Sequence, residues 1–140
     1  MRAATPLDPT PRYGMSRHVE LSFDDAVEKI TATLAEQGFG ILTEIDVKAT
    51  LKKKIDQDFT DYVILGACNP KLAHRGLGHE IALGLLLPCN VAVYVDPENG
   101  KTVVAVLDPG LMVQLTGNAE LEPIALEAKQ RLEAALDAIE

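Results

Sequence analysis

The stretch from Cys89 to Leu107 constrains the fold of this chain more than any other. Cys89 to Asp96 reads as a strand, Pro97-Glu98-Asn99-Gly100 as a tight turn, and Lys101 to Leu107 as the returning strand. A connection this short joins only antiparallel neighbours, because parallel strands need a crossover of about a dozen residues or more. An antiparallel sheet is therefore required, and the other elements must extend or cover it.

Arg17 to Leu21 alternates polar and apolar residues and predicts a short strand. Ser22 then supplies an N-cap, Asp24 and Asp25 suit the positive end of a helix dipole, and Phe23, Ala26, Val27, Ile30 and Leu34 recur at helical spacing up to Gly38. Phe39, Ile41, Thr43, Ile45 and Val47 alternate with Gly40, Leu42, Glu44 and Asp46, the pattern of a half-buried strand. A short helix follows on Val47, Leu51 and Ile55. Tyr62 to Cys68 is a strand apolar on both faces, and Asn69-Pro70 opens a helix expected to run to about Gly84. After the Asp108-Pro109-Gly110 break, Leu121, Ile124, Ala125, Ala128, Leu132, Ala135, Leu136 and Ile139 mark a long C-terminal helix.

The expected class is α+β: two layers, a mostly antiparallel sheet with helices on one face, in the order β-α-β-β-β-β-α with extra short helices between strands. Residues 1–16, with three prolines, read as a flexible N-terminal arm, and residues 17–140 as a single domain.

Charge narrows the partners. Thirteen Lys and Arg face 21 Asp and Glu, a formal net charge of -8, so the surface repels a phosphate backbone and an anionic membrane alike. No apolar run reaches the roughly 18 residues of a membrane span, and the first sixteen residues lack the apolar core of a secretory signal. A cytoplasmic location is expected, where two cysteines serve as thiols or ligands more readily than as a staple. Nothing matches a Gly-rich phosphate loop.

One constellation stands out. On a helical wheel from Leu72 onward, Leu72, Ala73, Gly76, Leu77, Ile81, Leu83 and Gly84 occupy one half, and Glu80 falls among them. A lone buried carboxylate costs several kcal/mol, or takes up a proton, so Glu80 needs a partner or a helix bend that exposes it. Cys68 ends its strand just before the Asn69 cap, where backbone N–H groups and the helix dipole favour a nucleophilic thiolate; as a buried thiol it would simply pack as a small hydrophobe. Cys89 opens the next strand, and pairing with Cys68 would require Cα atoms within about 7 Å. Cys68, Asn69, Glu80 and Cys89 are thus the candidate ligand-binding or thiol site. The spacing matches no strong zinc motif, so no metal ligands are assigned, and His74 and His79, five apart, do not share a helix face. Lys52, Lys53 and Lys54 read as a solvated face.

The chain resembles the family catalogued as domain of unknown function 302. The resemblance rests on Gly66-Ala67-Cys68-Asn69-Pro70, on Glu80, on Gly84 to Val91 with its Leu-Leu-Pro-Cys segment, on Tyr94 and on Asp108-Pro109. It covers about Met15 to Glu140, and implies a TATA-binding-protein-like fold and a homodimer without bringing any activity or cofactor. Three functions compete: a homodimer binding a small ligand or metal near the Cys-Asn-Pro helix start, a thiol-based redox or sulfur-handling protein using Cys68, and an interaction scaffold with structural cysteines.

Overall fold

The computed structural model describes residues 11–139. Its sheet has five strands, β1 (Gly14–Val19), β2 (Gly40–Asp46), β3 (Tyr62–Cys68), β4 (Cys89–Val95) and β5 (Thr102–Leu107), in the order β1-β5-β4-β3-β2. All neighbours pair antiparallel. The β4–β5 hairpin is the centre of this arrangement, as its turn chemistry requires. Asp96 accepts the Gly100 N–H on its carbonyl at 2.7 Å, and Gly100 takes the positive φ of +73° that a tight turn needs.

Among the described residues, five α-helices accompany the sheet: α1 (Phe23–Glu36), α2 (Val47–Ile55), α3 (Pro70–His79), α4 (Gly110–Thr116) and α5 (Glu122–Asp137). Ser22 caps α1 by accepting the Asp25 N–H at 3.2 Å, with Asp24 and Asp25 in the first turn as expected. Helices α1 and α5 bury Ile30, Leu34, Leu132 and Leu136 completely or nearly so against Val63, Leu65, Val91, Val93, Val104 and Val106. Each such side chain contributes about 1.5–3 kcal/mol. A second apolar cluster joins α3, α4 and the first half of α5 through Leu72, Met112, Leu121, Ile124, Ala125 and Ala128. The α+β class, with helices layered on an open antiparallel sheet, is what the strand and helix patterns required.

Four local features differ from expectation. First, β1 begins at Gly14, and Met15 is core, so the sheet reaches into the segment expected to be an arm; residues 1–10 of that arm lie outside the described residues. Second, β2 is an edge strand with only Ile41 packed on the core. Its register shifts at Leu42, so Ile41 stands opposite Ala67 and Thr43 opposite Gly66. The extra residue puts Ile41 and Thr43 on opposite faces and breaks the simple alternation. Third, α3 stops at His79, and a 3₁₀ segment from Ile81 to Leu86 replaces the expected last turn. Gly76 lets Leu83 fold back on α3: a Cβ there would stand 2.7 Å from Leu83 Cδ2. Fourth, α4 occupies a stretch that reads in sequence only as a break. Asp108 Oδ1 accepts the Gly110 N–H at 2.8 Å and launches it.

Among the described residues, no helix is long and apolar enough to cross a membrane.

Candidate functional site

The two cysteines come together at one end of the sheet. Cys68 is the last residue of β3 and Cys89 the first of β4, and the register sets Cys89 opposite Ala67. They therefore sit on neighbouring strands, one residue out of line. Alternation along β3 points the Cβ atoms of Ala67 and Cys68 to opposite faces, and both cysteines are free thiols.

The sheet ends here, and the chain wraps around its edge. Pro88 stands over Gly66 on the outward face, where a Cβ on Gly66 would come within 2.7 Å of Pro88 Cγ. Cys89 then turns inward and is buried. An apolar cavity of about 30 Å³ opens at this point, lined by Cys68, Asn69 and Cys89 together with Phe39, Leu72, Leu83, Leu87, Pro88, Met112 and Ile124. It lies at the seam between the two apolar clusters. That volume admits one or two water-sized groups, far below the few hundred Å³ of an ordinary organic-ligand pocket.

Asn69 fixes the strand end. Its Oδ1 accepts the Leu72 N–H at 3.2 Å, capping α3, and its Nδ2 donates to the Gln37 carbonyl at 3.5 Å. Both ends of this amide are thus occupied by backbone, and Cys68 stands between the end of β3 and the first turn of a ten-residue helix. Cys68 is half-buried while Cys89 is 7% exposed. Burial first, and the neighbouring Cys68 second, push the Cys89 thiol up to about 11. The two thiols are therefore chemically distinct: one retains access to solvent, the other holds its proton.

Glu80 does not line this cavity. It is the C-cap of α3, half-buried, with extended backbone at φ −147°. Asn118 Nδ2 donates to Glu80 Oε1 at 3.0 Å and to the His79 carbonyl at 3.1 Å. The carboxylate on the apolar side of the wheel is answered by a side chain from the turn before α5. Asn118 is the residue that sequence inspection misses. Its Oδ1 also accepts the Glu120 N–H, and that local cap was the one signal available.

Among the described residues, no group of three or more His, Cys, Asp or Glu is placed to hold a metal ion. His74 and His79 are exposed, and His79 Nδ1 lies 3.7 Å from Glu120 Oε2. Lys48 pairs with Asp61 at 3.0 Å, and Lys52 with Asp56 and Asp58 at 3.1 and 3.2 Å, on an exposed surface.

Fold and site together define a small α+β protein with two free thiols where its sheet ends. The chain belongs to the family described as "Domain of unknown function DUF302", whose model matches residues 15–139. It is similar to the crystal structure of an uncharacterized conserved protein DUF302 from Bacillus stearothermophilus, with 31% identity, a TM-score of 0.84, and coverage of 91% of this chain and 98% of that one. No curated protein matches the chain.

Proposed function

We propose that this is a thiol protein in which Cys68 reacts with compact electrophiles in the cavity it shares with Cys89. The observation that carries this is the cavity itself: Cys68 and Cys89 both border one apolar space of about 30 Å³, beside the Asn69-capped start of α3. With Glu80 bonded to Asn118, the polar group that would orient an organic ligand stands elsewhere. A size series tests the proposal. Methyl methanethiosulfonate should modify Cys68 much faster, relative to free cysteine, than the bulky disulfide dithiobisnitrobenzoate does. Equal relative rates for the two reagents would remove the cavity from the account.

Binding of a small apolar ligand at Cys68, Asn69 and Cys89 is the second reading, favoured by the apolar walls of the same space. It predicts an excess mass in native mass spectrometry that disappears on denaturation. For self-association, the support is the sheet face turned away from α1 and α5. It carries Tyr62, Ile64, Ala92, Tyr94 and Ala105 only partly buried, with Tyr62 and Tyr94 stacked at 5.0 Å. A homodimer through this face also fits the TATA-binding-protein-like arrangement implied by the family resemblance. Sedimentation velocity of Ile64→Asp should give a monomer where the unmodified chain gives a dimer. A cytoplasmic location agrees with two thiols left free.

A further inference from the structure

We infer that Cys68 and Cys89 form a reversible dithiol–disulfide pair, with Cys68 oxidised first by a small hydroperoxide and Cys89 resolving it. This rests on the thiol reading above and assigns the oxidant class and the division of labour.

Three placements carry it. The register brings Cys89 opposite Ala67, so Cys68 and Cys89 are diagonal neighbours on adjacent strands. A one-residue offset across an antiparallel ladder combines a cross-strand spacing of about 5 Å with a rise of about 3.4 Å, so the Cα atoms stand roughly 6 Å apart, within the range a disulfide spans. Alternation separates their Cβ directions, so closure requires the last residue of β3 to turn. Cys68 is placed to do that. It is the terminal residue of its strand, and its partner on the edge strand β2 is Gly40, which carries no side chain. On the other side lies the shared cavity.

Exposure fixes the order of events. Cys68 is half-buried and reachable, whereas Cys89 is buried and keeps its proton until a leaving group needs it. A neutral, compact peroxide suits an apolar space of about 30 Å³ better than a charged or bulky oxidant. The Cys68 thiolate attacks the outer oxygen of ROOH and the O–O bond breaks. The alkoxide leaves as ROH, taking up the proton that Cys68 gave up. Sulfur loses two electrons and becomes a sulfenic acid. The Cys89 sulfur then attacks Cys68 Sγ, the S–O bond breaks, and hydroxide leaves as water with the Cys89 proton. Two thiols and one hydroperoxide yield one disulfide, one alcohol and one water.

The test treats the full chain with hydrogen peroxide and maps its peptides without reduction. A Cys68–Cys89 cross-link within one chain, lighter by two hydrogen atoms and restored by dithiothreitol, is expected. Cys89→Ala should stop at a Cys68 sulfenic acid trapped by dimedone, and Cys68→Ser should lose the oxidation altogether. Cys68 sulfinic acid accumulating beside a free Cys89 in the unmodified chain would overturn the pairing, as would a disulfide joining two chains. Should Cys68 alkylate rapidly yet never cross-link, the pairing fails and the thiol reading stands. Slow alkylation together with no oxidation sinks both.

Discussion

The side-chain amide of Asn118 donates to Glu80 Oε1 at 3.0 Å across 38 positions of sequence. The same amide holds the carbonyl of His79 at 3.1 Å. Asn118 thereby pins the point where α3 gives way to the 3₁₀ segment, and that segment supplies Leu83 to the cavity wall. Glu80 thus braces the cavity wall from outside the cavity.

Asn118→Ala leaves a half-buried carboxylate and a carbonyl without this donor, and should cost about 1–3 kcal/mol. Glu80→Gln keeps an acceptor for Asn118 and should cost less. Urea denaturation of the two variants gives the ranking. A larger loss for Glu80→Gln would mean that the carboxylate charge matters beyond this contact.

The Cys89 thiol makes stability depend on pH at the alkaline end. Its value rises from 9.0 to about 11 on folding, through burial first and Cys68 second. Between those values the unfolded chain has released this proton while the folded chain retains it, so stability falls as pH rises. The contribution is complete below about pH 9 and gone above about pH 11, a loss on the order of 2–3 kcal/mol at 1.36 kcal/mol per unit. Tyr62, also raised by burial and then by Tyr13, adds to the slope in the same direction. The check is the difference between the unmodified chain and Cys89→Ala, measured by denaturation from pH 8 to about pH 11; Cys89→Ala should show the shallower decline.

Gly66 has no room for a side chain because Pro88 and Thr43 crowd its outward face. Pro88 is a rigid ring joined directly to Cys89, so Gly66→Ala must push that segment away and should destabilise by about 1–3 kcal/mol. Thermal unfolding of Gly66→Ala reads this loss. The companion Gly40→Ala, with open space at its Cβ position, should stay within about 0.5 kcal/mol of the unmodified chain.

Much of this architecture is legible in the sequence because it is specified locally. Tyr62 to Cys68, the Asn69-Pro70 helix start and the turn at Gly100 depend on neighbouring residues alone, and each stands where its pattern places it. What escapes is set by distant partners. The bulge at Leu42 exists only in relation to β3, so simple alternation misassigns Thr43 and Ile45. Helix α3 ends early because Leu83 packs onto Gly76, although Gly76 and Gly78 already mark it as a weak helix. For the candidate site, composition and spacing single out Cys68, Asn69, Glu80 and Cys89. Only the fold shows that Cys68, Asn69 and Cys89 share a cavity and that Glu80 turns to Asn118.

The most direct test of the central claim is the alkylation rate of each cysteine by iodoacetamide at pH 7, resolved by peptide mass spectrometry in the native and urea-unfolded chain. The expected result is that Cys68 reacts faster in the native protein than in the unfolded chain, while Cys89 is protected by folding. Native Cys68 reacting no faster than unfolded Cys68, or more slowly than Cys89, would contradict it.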